Sequence, residues 1–399
     1  MGWVSHQGRI LTRRRAAFGV IVAAAALAAC TNIGDRFSAG PAAQPGEPPP
    51  PTTLGAGQVR VALILPLSAP GNAGIAAQSM KNAAEMALDE FKNPNIQLLV
   101  KDDAGAPQTA QAAAQQSVDE GAEMILGPLF AQSVSAVSQV ARARGIPVIA
   151  FSTDASVASR GVYLLSFLPE SDVRRIVEYS TSRGKRSFAA LLPDNAYGAV
   201  VEAALQQDAP RHSGRIVALE KYPLDPNKMA DPVRRVAQTA NRVDSIFIPD
   251  NEDAPRIATM LASSGANLKR VQLLGTGLWG DDMRIAAATQ LDGAWYAAPD
   301  PAGFRNFAAR YRARYGAEPV RTAALAYDAV ALVAALVKTQ GQQRFSEGVL
   351  TNPSGFAGID GVFRFRRDGT NERGLAVMRV TPTGGQPISP APKSFGPAS

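Results

Sequence analysis

The sequence is short of the residues that most enzyme chemistry needs. Among 399 residues there is one cysteine, Cys30, and there are two histidines, His6 and His212. A single thiol excludes an internal disulfide and a cysteine-ligated metal site. A histidine-based metalloprotease or serine-type triad is left with one weak candidate, His212, in the polar stretch "DAPRHSGR". Aromatic residues make up 7% of the chain, and no basic-aromatic cluster supports nucleic-acid binding. The formal charge of +7 does not argue for it either. Arg9, Arg13, Arg14 and Arg15 lie in the first 29 residues without an acid. Without that segment the balance is 37 basic to 34 acidic residues, or +3.

The N-terminus reads as a targeting segment. "LTRRR" is a positive n-region, and "AAFGVIVAAAALAA" is an apolar run of 14 residues, too short to span a membrane. It ends in "LAAC", which resembles a bacterial lipobox and makes Cys30 the expected lipidation site, with residues 1–29 as signal peptide. Thr31 after Cys30, rather than an acid, favours the periplasmic face of an outer membrane. Residues 30–58 are rich in Pro, Gly and Ala, as a tether would be. The tail from 381 to 399 has a similar composition and is expected to be disordered.

Between these ends the chain alternates. "VRVALIL", "IQLLVKD", "EMILG" and "IPVIAFS" are apolar runs suited to strands buried on both faces, and segments with helical spacing separate them. A second series begins near 172, after "GVYLLSFLPESD". The expected fold class is α/β, with two doubly wound parallel-sheet lobes joined by a hinge. Ligands of such sheets bind off the carboxyl ends of the strands. The polar loops "PLSAPGNAG", "GPLFAQS", "FSTDAS", "PDNAYG", "PDNED" and "GTGLWG" fall there.

Each loop has a chemical and a structural reading. "GTGLWG" matches G-x-G-x-x-G, but it comes late in the chain. Trp279 crowds it, and Asp281 and Asp282 would repel a pyrophosphate, so it reads as a strand-to-helix turn. Asp102 and Asp103 have no histidine nearby and read as a turn with a helix cap. No metal, cofactor or catalytic residue is assigned, and the chain is expected not to be an enzyme. In "FSTDAS", Ser152 lacks a base to make it a nucleophile. Its hydroxyls and amides suit either a ligand cradle or a cap. Tyr197 suits either a cleft wall or packing at a helix start.

Taken in order, "ILPLSAPGNAGIAAQSMKNAAEMALDE", "ILGPLFAQSVSAVSQVARARGIPVIAFSTD", "LLPDNAYG" and "FAARYRARYGAEPVRTAALAYDAVALVAAL" resemble the type I periplasmic binding proteins of the leucine/isoleucine/valine group. The resemblance covers roughly 59–380. It implies lobe one at 59–170 plus 299–341, and lobe two at 171–298 plus 342–380, closing on a ligand. Carried over by position, Ser133, Phe151, Ser152, Thr153 and Asp154 face the ligand from lobe one. Tyr197, Asn251, Gly275 and Thr276 face it from lobe two. Two positions depart from amino-acid binders of the group, which usually have Thr at Asp154 and an acid at Gly277. The departures weigh against a free α-amino acid and leave a small, polar, amino-acid-like ligand for an ABC importer. The sequence also resembles the C-terminal domain of the penicillin-binding-protein activator lipoproteins. That implies the alternative function of regulating peptidoglycan synthesis through a penicillin-binding protein, with a vestigial or sensing cleft. Either way the expected contacts are a small ligand or a protein partner, and a membrane through the lipid anchor.

Overall fold

The computed structural model describes residues 52–280 and 282–396. Cys30, the signal segment, most of the tether and Asp281 lie outside the described residues.

The first lobe opens with β1 (Thr52–Leu54), β2 (Val59–Leu65), α1 (Asn72–Glu90), β3 (Ile96–Asp102), α2 (Pro107–Asp119) and β4 (Met124–Leu126). It continues with α3 (Ala131–Ala143), β5 (Val148–Ala150) and β6 (Val162–Leu164). The sheet order is β1-β3-β2-β4-β5-β6, parallel except for β1, which pairs antiparallel with β3. In β2, five consecutive residues from Val61 are fully buried because helices cover both faces. Alternate β2 residues therefore serve two cores. Val61, Leu63 and Leu65 meet α1 and a later helix, while Ala62 and Ile64 meet α2 and α3. Thr52 to Leu54 belong to the sheet, so the tether is shorter than the composition of 30–58 suggested.

The second lobe contains α4 (Pro169–Ser182), β7 (Ser187–Pro193), α5 (Ala196–Arg211), β8 (Arg215–Tyr222), α6 (Ala230–Ala237) and β9 (Ser245–Phe247). Then come α7 (Ala254–Ser263), β10 (Gln272–Gly275), α8 (Met283–Ala287) and β11 (Trp295–Ala298). Pro169 opens α4 and Glu170 and Asp172 occupy its first turn, where acids favour the helix dipole.

The chain then returns to lobe one through α9 (Pro301–Tyr315) and α10 (Ala323–Thr339). Asp300 caps α9 by accepting from Ala302 N–H, and Gly316 ends it at φ 71°. Helix α10 packs on α1, and its Leu325, Ala329 and Val333 enter the same core as Leu63. Next follow α11 (Glu347–Leu350), β12 (Phe356–Gly358), β13 (Gly361–Phe365) and β14 (Asn371–Arg373), which form a small three-stranded sheet beyond α11. Finally β15 (Ala376–Thr381) and β16 (Gly384–Ser389) join the second sheet, whose order is β16-β15-β11-β10-β9-β7-β8.

Two boundaries differ from expectation. Residues 342–373 were placed in lobe two, yet Leu350, Phe363 and Phe365 lie in the core of lobe one. Phe365 stacks against Tyr163 of β6 with centroids 5.4 Å apart. Aromatic burial, not the linear order of strands, fixes this crossing at 374–375. The tail was expected to be disordered, but β16 pairs antiparallel with β15. Pro387 is tolerated there because β16 is an edge strand.

The chain therefore crosses between lobes at 165–168, 299–300 and 374–375. Side chains tie these crossings together. Phe167 of the first lies between two guanidinium groups, Arg321 at 4.9 Å and Arg373 at 4.7 Å from the ring centroid. Arg373 Nε donates to the Ser166 carbonyl at 2.9 Å. Arg321 also lies 4.2 Å over the ring of Phe304, just after the second crossing, and forms a bidentate pair with Asp360. Among the described residues no helix is long and apolar enough to cross a membrane.

Candidate functional site

The loops after the carboxyl ends of both sheets carry the polar residues singled out above. In lobe one, Asp102 Oδ1 accepts from the N–H groups of Ser68 (3.2 Å) and Ala104 (2.8 Å), and Asp103 Oδ1 accepts from Gly105 N–H (2.9 Å). This is the turn-and-cap role. Burial pushes the Asp103 carboxyl up to about 6, against the backbone bond from Gly105. Ser133, one turn into α3, tempers that rise, yet neither Ser133 Oγ nor Asp103 Oδ2 has a hydrogen-bond partner of good geometry. Ser133 is fully buried, beneath the loop surface rather than on it.

The "FSTDAS" turn divides into three roles. Phe151 is a correction to the ligand-facing assignment. Its ring lies in the lobe-one core, its N–H donates to the Pro128 carbonyl, and its carbonyl accepts from Ser166 Oγ. Phe151 is 1% exposed. Ser152 Oγ accepts from Asp154 N–H at 3.1 Å, and Asp154 Oδ1 accepts from Ser156 N–H at 2.9 Å, capping a single helical turn over Ala155–Val157. The capping reading of this turn is therefore met. Thr153 and Asp154 are exposed and remain open to a ligand.

In lobe two, Tyr197 and Thr276 meet, with their hydroxyls 3.0 Å apart. Thr276 Oγ1 donates to the Pro249 carbonyl at 2.7 Å, and the Tyr197 hydroxyl lies 3.4 Å from the same carbonyl. Burial raises the Tyr197 phenol above its ordinary range. Asn251 is turned aside, its Nδ2 donating to Asp282 Oδ2 at 2.7 Å. Hydrogen bonds from Arg284 hold Asp282 down to about 2. The "GTGLWG" segment is a tight turn over Gly277–Trp279 with the indole buried. A Cβ at Gly275 would overlap that indole. Phosphate cradling has no room here.

Sequence reasoning missed one group. Asp172, in the first turn of α4, accepts the Gly277 N–H on Oδ2 at 2.9 Å. It is half-buried. Burial pushes its carboxyl up to about 7, the Gly277 bond opposes this, Glu170 adds to it, and Arg373 opposes it. Glu170 is likewise raised by burial and by Asp154 of lobe one, and its Oε2 is buried without a partner. The signal is "PESD", within the stretch that separates the two series. Beside Gly277 lies a cavity of about 260 Å³, lined by Gly277 and Tyr296 from lobe two, Pro299 of the second crossing, and Phe304, Arg305 and Arg321 from lobe one. No group of three or more His, Cys, Asp or Glu among the described residues is placed to hold a metal.

Comparison with known proteins fits this geometry. The family model described as periplasmic binding protein matches residues 58–386. The chain belongs to that family. It is 22% identical over 211 residues to the uncharacterized protein RP748 of Rickettsia prowazekii, covering 53% of this chain and 54% of the relative. It is 26% identical over 171 residues to the penicillin-binding protein activator LpoA of Vibrio cholerae, covering 40% of this chain and 27% of that one. The match thus spans about half of the first relative and about a quarter of the second. A solved structure from Rhodospirillum rubrum, described as a putative branched-chain amino acid ABC transporter, superposes with TM-score 0.73 at 19% identity. It covers 83% of this chain and 99% of its own.

Proposed function

We propose that this protein is a lipid-anchored solute-binding protein, held through Cys30, that captures a small polar ligand between its lobes for an ABC importer. The observation that carries this is the family match across both lobes, 58–386. The loops off both sheets carry polar groups: exposed Thr153 and Asp154 on one side and Tyr197 on the other, with Asp172 of α4 bonded to the turn after β10. The importer as partner is suggested by what the Rhodospirillum rubrum relative is described as.

A second reading follows from the likeness to the Vibrio cholerae activator. In it the protein engages a penicillin-binding protein at the outer membrane, and the cleft senses or has lost its ligand. A thermal-shift screen of the purified full-length chain separates the two. A solute at about 100 times its Kd stabilises by about 2.7 kcal/mol. A shift with an amino-acid-like solute supports transport. No shift with amino acids, peptides or muropeptides, together with co-purification of a penicillin-binding protein, overturns it.

A further inference from the structure

The last described residues of the chain touch both lobes. From Gly384 to Ala391 they are held by lobe two. There β16 pairs with β15, Ile388 and Ala391 pack against the lobe-two cores, and Arg175 of α4 donates to Ser389 Oγ at 2.8 Å. Pro392, Lys393 and Ser394 are exposed. Phe395 then lands on the small sheet of lobe one. The Arg364 guanidinium of β13 lies 4.5 Å from its ring centroid. The ring also fills the space beside Gly355, where a Cβ would lie 2.8 Å from Phe395 Cδ2 and 2.9 Å from Cε2.

This notch is shaped for a ring. Arg364 is pinned in place: Nε and Nη2 donate to Glu372 Oε2 at 3.1 and 2.9 Å, and Nη1 donates to the Pro353 carbonyl at 3.0 Å. All of its bonds lie in the guanidinium plane, which leaves the flat face to stack on an aromatic ring. Gly355 has φ 71°, a left-handed conformation that suits glycine, and its missing side chain admits the ring. On the way there, Pro392 covers the third crossing, where a Cβ at Gly374 would lie 3.0 Å from Pro392 Cγ. The sheet that carries the notch shares the lobe-one core through Phe363 and Phe365. A ring seated on it is therefore seated on lobe one.

The tail thus connects the lobes in a way that the three crossings do not. Each crossing continues covalently into the other lobe, whereas the tail is held there by one side chain. Four residue steps separate Ala391 from Phe395 and span at most about 14 Å when fully extended. While the ring is seated, the β16 edge of lobe two stays within that reach of β13. Wider opening requires the ring to leave. A single ring on a surface guanidinium is a weak contact, so it releases and reseats readily.

We propose that residues 392–395 form a latch across the hinge, with Phe395 as its catch on Gly355 and Arg364, and that this latch limits how far the two lobes separate. It applies under either reading of the function, because it acts on the motion of the lobes and not on the contents of the cleft.

The distance between the lobes tests it. Nitroxide labels are attached at Arg144→Cys in lobe one and Gln207→Cys in lobe two, both exposed, in the full-length chain carrying Cys30→Ser. Pulsed electron resonance then reads the distance distribution with no solute added. Phe395→Ala should widen the distribution and raise the population of long distances about two- to fivefold. Phe395→Tyr keeps a ring that can stack on Arg364 and should keep the original distribution. Melting curves confirm that each variant is folded. An unchanged distribution in Phe395→Ala overturns the inference, and so does an equal widening in the alanine and tyrosine variants. No solute enters the measurement, so either failure leaves the solute-binding reading standing.

Discussion

The Asp172 carboxylate and the Gly277 amide meet at 2.9 Å, joining the first helix of lobe two to the turn after β10. A side chain at 277 would press on that carboxylate, since a Cβ there would lie 3.0 Å from Oδ2. One backbone hydrogen bond thus places an acid beside the position whose missing acid had argued against an amino-acid-like ligand.

Asp172 and Asp328 are each pushed up from 3.8 to about 7, chiefly by burial. An acid with a raised folded-state pKa binds its proton more tightly when folded. The folded state is therefore favoured below the unfolded pKa, and that advantage is lost as pH rises from about 4 through about 7. Melting temperature should fall over this window in the ligand-free protein. Asp172→Asn should flatten the fall, as differential scanning calorimetry at stepped pH would report. A rise with pH that is unchanged in the variant would contradict the assignment.

Phe151 and Asp154 sit three residues apart and should respond differently. Phe151→Ala opens the lobe-one core and should cost about 3–5 kcal/mol. Asp154→Ala removes one cap from an exposed turn and should cost about 1 kcal/mol. Urea denaturation of both variants measures the contrast. Near-equal losses would mean that the ring is not a core residue.

Gly275→Ala drives a methyl into the Trp279 indole. The buried indole has little room to move, because its Nε1 also donates to the Asp250 carbonyl at 3.2 Å. Overpacking of this kind costs about 1–3 kcal/mol. Tryptophan fluorescence should shift together with the denaturation midpoint.

Tyr197→Phe deletes the hydroxyl that meets Thr276 but keeps the ring. The loss should be about 1 kcal/mol in stability, because the Thr276 hydroxyl still donates to Pro249. A much larger drop in ligand affinity than in stability would place the phenol in the binding surface. Equal small changes would leave it as packing.

Arg373→Met removes the cation that Asp172, Asp328 and Asp360 share. Breaking a buried charge set from one side costs about 3–5 kcal/mol. Arg373→Lys should rescue little, because a lysine cannot both reach the Ser166 carbonyl and stack on Phe167 as a planar fork does. Full recovery by lysine, read from melting curves, would reduce Arg373 to a point charge.

The sequence by itself determined the alternating architecture and the places where polar loops gather. Continuous apolar runs such as "VRVALIL" can be satisfied only between two helical layers, and strand polarity then puts "FSTDAS", "PDNAYG" and "GTGLWG" at the carboxyl ends. Scarcity of histidine and cysteine left little material for histidine- or cysteine-based catalysis. Only the tertiary structure decided which of these residues are buried and which are exposed. Phe151 reads as part of a polar turn but is drawn inward, because β5 delivers it to the apolar layer over α10. Residues 342–373 follow lobe two's strands in order but pack on lobe one, because Phe363 and Phe365 find their apolar surface there. Asp172, Asp328 and Arg373 are separated by up to 201 positions in the chain and show no local pattern. Their energies come from proximity and loss of water, which arise only when three crossings meet at one hinge.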